Sequence, residues 1–159
     1  MKPDTLRAAI VAALPALEND PERLAMWIEK GRIRSPMTAG RGFEWDYVLN
    51  ITIQDFTGHP SIPFLVINDW ARTNQIELVQ PGDKSGYQFE ADVVDVGTID
   101  FHIQLNLTER VSVTRGEDGS DTLQHLDDTA FLLTDNEPWG TLTKVTTGGE
   151  QTYPGPPLP

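Results

Sequence analysis

The stretch Phe43–Gln54, FEWDYVLNITIQ, decides the fold class. Phe43, Trp45, Tyr47, Leu49, Ile51 and Ile53 fill the odd positions. Glu44, Asp46, Asn50, Thr52 and Gln54 fill the even ones, and Val48 alone breaks the rule. A period of two makes a strand with one face in a core and the other toward water or a partner. Gly58-His59-Pro60 ends it. The same alternation returns downstream. Tyr87, Phe89, Ala91 and Val93 alternate with Gln88, Glu90 and Asp92. Ile99, Phe101, Ile103, Leu105 and Leu107 alternate with Asp100, His102, Gln104 and Asn106. The short Val96-Gly97 connection between these runs predicts a hairpin. Val111 and Val113 lead on to a turn at Gly116–Gly119, and a short strand near Thr122–Leu126 returns from it.

Working outward, the flanking segments change period. Leu6, Ile10, Ala13, Leu14 and Leu17 recur at helical spacing. Asp20-Pro21-Glu22 has the chemistry of a helix start: a capping carboxylate, a proline suited to the first turn, and an acid at the positive end of the dipole. Leu24, Trp27 and Ile28 then form one stripe, with Gly31 as the stop. That predicts a second helix, followed by a basic loop over Arg32–Gly42. Phe64, Leu65, Ile67, Trp70 and Ala71 predict a third helix over residues 61–74, and Pro81-Gly82-Asp83 a turn. On these stripes Trp27, Trp45 and Trp70 are expected in the core, leaving Trp139 for an interface. After about residue 127 no period is sustained, and the end, GGEQTYPGPPLP, predicts an extended tail. The expected organisation is one α+β domain over residues 1–126, with helices packed on one face of a mostly antiparallel sheet, and a Pro-rich C-terminal extension over 127–159.

Charge limits what the chain can do. It has 159 residues, 12 Lys or Arg and 24 Asp or Glu, for a net charge of -12. A protein that grips nucleic acid by neutralising phosphates needs a basic excess, so tight nucleic-acid binding is not expected. An anionic membrane would also repel it. The charge is uneven: residues 1–41 are net +2 and residues 42–159 net -14. Subunits joined head to tail could use such a division. If the helices cover the odd-numbered face of the sheet, Glu44, Asp46, Glu90, Asp92 and Asp100 share the other face. The opening residues read as a core helix made in the cytoplasm, since Asp4, Arg7 and Pro15 interrupt any signal-peptide pattern.

A search for chemistry finds little. There is no cysteine, so thiolate catalysis and disulfides are excluded. His59, His102 and His125 are not paired at metal-ligand spacing. No serine lies in a nucleophile elbow, and no phosphate-binding glycine motif occurs. Asn50-Ile51-Thr52 and Asn106-Leu107-Thr108 match the glycosylation triplet but fall inside expected strands. Asp55, His59 and Asp69 form the one grouping from which a small metal-dependent enzyme could be built. No catalytic residue, metal or cofactor is assigned.

Three segments carry a family resemblance: PDTLRAAIVAALPALENDPERLAMWIEKGRI, FEWDYVLNITIQDFTGHP and YQFEADVVDVGTIDFHIQLNLTERVSV. In that order and spacing, with "GRI", "DFTGHP" and "LTERV" in one chain, the sequence resembles the tail completion protein R family of contractile-tailed bacteriophages from about residue 3 to 126. The resemblance implies a tail-terminator-like fold and a structural virion protein without catalytic activity. It would complete the tail, or that of a phage-tail-like particle, at its head-proximal end. There it would form a ring, a hexamer, that caps tube and sheath at the neck and meets the head connector protein. Its expected partners are itself, the tube and sheath proteins and the connector, and its assembly belongs in the host bacterial cytoplasm. In such a ring Arg32, Arg34, Arg41 and Trp139 are candidates for the subunit interface. Glu44, Asp46, Glu90, Asp92 and Asp100 are candidates for an acidic lumen or interface face past which DNA slips. A soluble assembly adaptor or chaperone that never enters the particle is the alternative reading.

Overall fold

The structure is a computed structural model that describes residues 1–35, 40–81, 86–126, 145–147 and 150–153. The chain divides into two compact units, Met1–Asp128 and Thr129–Pro159. Within the second, β6 (Val145–Thr147) and β7 (Glu150–Tyr153) pair as an antiparallel ribbon.

The first unit opens with α1 (Lys2–Ala13) and the single turn α2 (Ala16–Asn19), then β1 (Leu24–Arg34) and β2 (Phe43–Phe56). It continues with α3 (Ser61–Asn74), β3 (Gln88–Asp95), β4 (Thr98–Arg115) and β5 (Asp121–Leu126). The strands form one antiparallel sheet in the order β1-β2-β4-β3, with β5 paired to the far end of β4. The architecture is α+β, as the alternation of the long strands implied. The period-two runs become β2, β3 and β4, and the stripe over residues 61–74 becomes α3. Pro63 lies in the first turn of α3, where no intrahelical amide bond is lost.

The predicted second helix does not exist. Pro21–Arg23 makes one 3-10 turn, and Leu24–Arg34 is a strand paired along β2. Leu24, Trp27 and Ile28 fit a helical stripe, but Leu24, Met26 and Ile28 fit a strand equally well. A bulge between Ile28 and Lys30 then shifts the register and hides the continuing alternation. The fourteen-residue β2 offers a full ladder of backbone partners, which a short helix with a narrow stripe cannot match. The first three residues of the expected loop over Arg32–Gly42, Arg32 to Arg34, therefore belong to the strand. Trp27 is corrected with it: as a strand residue it faces away from the helices, 44% exposed, with its ring 5.8 Å from that of His102. Trp45 packs against the core and Trp70 is buried within it.

The core lies between the odd-numbered face of the sheet and the two longer helices. Leu6 and Ile10 of α1 and Ile67, Trp70 and Ala71 of α3 meet Leu49, Ile51, Ile53, Phe101, Ile103, Leu105 and Leu107. Burying such side chains contributes on the order of 1.5–3 kcal/mol each. The Trp70 indole donates to Thr5 Oγ1 at 3.0 Å, tying α3 to α1. Between β3, which reaches Gln104, and β5, which ends opposite Arg110, one stretch of β4 has no described strand on the side away from β2. Side chains fill that gap. Gln75 is 4% exposed, and its Oε1 accepts the Thr108 amide at 3.0 Å. Lys2 Nζ donates to the Thr108 carbonyl at 2.6 Å and to Gln75 Oε1 at 2.8 Å. A buried backbone amide left without a partner would cost about 1–3 kcal/mol, which is why a glutamine stands there.

Candidate interaction surfaces

The face of the sheet away from the helices is built by the even positions of β2, β3 and β4. Directly paired residues share a face, so the register fixes its content. Asp46 pairs with Thr108, Asn50 with Gln104, Thr52 with His102, Glu90 with His102 and Asp92 with Asp100. Across its middle a row of side-chain bonds runs from strand to strand. Gln104 Nε2 donates to Asn50 Oδ1 at 2.9 Å, and Asn50 Nδ2 to Glu29 Oε2 at 3.3 Å. Asn50 is 1% exposed, so this row is a structural tie.

The five candidate acids all lie on this face, but in two groups. Glu44 and Asp46 share the one cation of Arg34, which bonds Glu44 and reaches Asp46 at 2.9 Å. Asp46 Oδ1 also accepts from Thr108 Oγ1 at 2.9 Å. At the other end Asp92 stands opposite Asp100, and Glu90 is one step away on the same face. Like charges directly opposite destabilise a strand pair. The amide of Asp55 relieves part of this by donating to Asp100 Oδ1 at 2.8 Å. The negative end of the face is therefore Glu90, Asp92 and Asp100.

The candidate basic residues separate in the same way. Arg41 pairs with Asp121 at 2.6 Å, and that bond and charge raise the guanidinium pKa. Arg34 is held by Glu44 and Asp46, whereas Arg32 stands exposed opposite Asp46 on β1. Trp139 lies outside the described residues. The grouping considered for an enzyme is not assembled: the Asp55 amide serves Asp100, His59 Nδ1 accepts the Ser61 amide, and Asp69 approaches Arg72. Among the described residues no three His, Asp or Glu side chains converge as metal ligands would.

One polar cluster lies outside the candidates that the sequence offers. Glu109 continues the odd-numbered row of β4 and is therefore directed into the core side, at 3% exposure. Its carboxylate accepts from Tyr47 Oη at 2.6 Å and from the Lys2 amide at 3.1 Å, and pairs with His125 Nδ1 at 2.6 Å. Burial, followed by the bond to Glu109, pushes the Tyr47 phenol pKa far up. The cluster ties the start of α1, β2, β4 and β5 together. An acid at an apolar position of an otherwise clean alternation was the available signal.

The sequence model described as P2 phage tail completion protein R (GpR) matches residues 1–129, which span α1 to β5. Tail completion protein R of Escherichia phage P2 is 35% identical over 116 residues, covering 72% of this chain and 75% of the phage protein. The chain belongs to the tail completion protein R family. The family is structural and not enzymatic, and its role is completion of the bacteriophage tail. No solved structure matches the chain.

Each short motif behind the family resemblance holds a constrained position. In "GRI", a Cβ on Gly31 would lie 2.8 Å from the Asp46 carbonyl oxygen, too close for any side chain. In "DFTGHP", Asp55 adopts the left-handed φ of 52°, and Gly58 lies under the Phe56 ring, where a Cβ would come within 2.7 Å. In "LTERV", Glu109 is the buried carboxylate. These residues shape the scaffold. No helix among the described residues is long and apolar enough to cross a membrane.

Proposed function

We propose that this member of the family completes a contractile phage tail, or that of a phage-tail-like particle, as a closed ring of identical subunits. The ring, a hexamer, sits at the neck, caps the tube and sheath at their head-proximal end and presents the surface that the head connector meets. Assembly takes place in the host bacterial cytoplasm, and the finished protein stays in the virion tail. Residues 1–126 form the domain that builds the ring, and residues 127–159 are an extension to it. The observation that carries this reading is the family match over residues 1–129, with 35% identity to the phage P2 protein.

The surfaces support the reading in physical terms. A cyclic ring needs two different, complementary patches on each subunit. Arg32, Arg34 and Arg41 lie toward one side of the chain's charge division, and of these Arg32 has no ion-pair partner among the described residues. Trp139 remains a proposed anchor of the same interface. The polar sheet face supplies the passage: Glu90, Asp92 and Asp100 make it negative, while Glu44 and Asp46 share Arg34. A negative wall does not retain DNA, because it offers no counter-charge to the phosphates.

Deleting the gene and imaging the resulting particles tests the role. Overlong or headless tails are expected, restored to normal when the gene is supplied from a plasmid. Normal headed tails without the protein would overturn the reading. Its presence in purified tails is also expected, and its absence there would favour an assembly adaptor.

A further inference from the structure

We propose that neighbouring copies of this chain join through two of the free edges among the described strands, β3 of one copy pairing antiparallel with β1 of the next. The proposal deepens the ring reading and rests on it.

Both edges are open. No described strand pairs with the outer side of β1 or of β3, and no described backbone group bonds to β1 from Ala25 to Arg34 on that side. Natural proteins blunt exposed edges, because a row of unpaired amides and carbonyls invites another strand. Here both edges instead expose apolar side chains. Ile33 is 70% exposed on β1, and Phe89 and Val93 are 55% and 76% exposed on β3.

The directions also fit. Each neighbouring pair in β1-β2-β4-β3 is antiparallel, so β1 and β3 run in opposite senses. A copy related by rotation about an axis along the strands would bring its β3 antiparallel to β1, and the alternation of the sheet would continue unbroken. The two patches differ, as a closed ring requires.

One register satisfies both faces at once. On the polar face β1 carries Lys30, Arg32 and Arg34, and β3 carries Asp92, Glu90 and Gln88. Setting Arg32 opposite Glu90 places Lys30 opposite Asp92 and Arg34 opposite Gln88. The same register sets Ile33 against Phe89 and Gly31 against Ala91 on the helix side, and, past the bulge, Ile28 against Val93. Charges used only to blunt an edge could carry any sign. Basic residues on one edge and acidic residues at matching steps on the other are complementary. The seam lies on the same polar face proposed for the passage; there Lys30 and Arg32 offset Asp92 and Glu90, and of the three acids Asp100 is left to keep the passage negative.

Engineered cysteines test this cleanly, because the full chain has none. Two double variants, Ile33→Cys with Phe89→Cys and Arg32→Cys with Glu90→Cys, occupy adjacent steps of the proposed register. One of the two must be a non-hydrogen-bonded pair, where side chains come closest. Within one subunit β1 and β3 are three strand spacings apart, about 14 Å. That is well beyond the roughly 7 Å limit for a disulfide. Mild oxidation of the assembled protein, in solution or in purified tails, should give a ladder of covalent multimers on a non-reducing gel. Single variants should stop at dimer or below. Separately, Lys30→Glu with Arg32→Glu should weaken association roughly tenfold. Adding Glu90→Arg and Asp92→Lys to the same chain should restore it. Light scattering and imaging separate the failures. Assembled rings with no ladder overturn the edge seam and leave the ring standing. Single subunits both in solution and on tails overturn the ring and the seam together.

Discussion

Replacing Glu109 with alanine should cost about 3 kcal/mol, and the reason can be followed atom by atom. Glu109 is 3% exposed and accepts bonds from Tyr47 Oη, the Lys2 amide and His125 Nδ1. Truncation leaves the Tyr47 hydroxyl, itself buried, without an acceptor, which costs about 1–3 kcal/mol. It also removes charge-assisted bonds to an amide and an imidazole. The imidazole is partly exposed and regains water, so these add only about 1 kcal/mol. Tyr47→Phe removes the donor but leaves the carboxylate its other two partners, and should cost about 1–2 kcal/mol. The two changes attack one bond, so their effects should not add. The double variant should be less destabilised than the sum by about 1–2 kcal/mol, since the phenylalanine no longer strands a hydroxyl. Urea unfolding followed by far-ultraviolet circular dichroism gives the three values from midpoints at constant slope. Strict additivity, or a loss below about 1 kcal/mol for Glu109→Ala, would refute the cluster as a shared, desolvated network.

Alkaline pH should act through the same tyrosine. Burial raises the Tyr47 pKa and that of Tyr87, the latter to about 12, so the folded protein holds both phenol protons above the usual value near 10. The unfolded chain binds fewer protons there, so stability is full below about pH 10 and falls as pH rises past it. Denaturant midpoints taken across that range should fall less steeply in Tyr47→Phe. Two glycine substitutions should separate crowding from backbone strain. Gly31→Val drives a Cβ against the Asp46 carbonyl and should lower stability by about 1–3 kcal/mol. Gly97→Ala has open space around it but sits at a φ of 87° in the β3-β4 turn, so it should cost about 1 kcal/mol from the backbone alone. Thermal unfolding of both variants checks the order. Gln75→Leu should cost about 1–3 kcal/mol by stranding the Thr108 amide, read as accelerated hydrogen exchange at that amide.

Much of the fold was legible because long strands with one dry face advertise themselves. β2, β3 and β4 each keep a period of two, and α3 keeps its stripe. β1 is not legible in the same way, because eleven residues with a bulge in the middle show neither period for long enough. The choice between helix and strand there is made by β2, a partner distant in sequence for most of the pairing. The face on which Trp27 lies depends on the same choice. The candidate acids were correctly grouped on one face by parity alone, but parity is silent on who neutralises them. That Glu44 and Asp46 share Arg34, while no cation among the described residues pairs with Glu90 or Asp92, depends on how β1 docks.

The sequence by itself determined the α+β class, the division of each long strand into a dry and a polar face, and the family. These follow from local periodicity and short motifs that survive without knowledge of neighbours. Only the tertiary structure decided that residues 24–34 form an edge strand. It also placed Glu109 at the meeting point of four elements, and it put basic and acidic edges at opposite ends of one sheet. Those properties arise from pairings between segments far apart in the chain, where the energy of a contact belongs to two partners and neither segment records it alone.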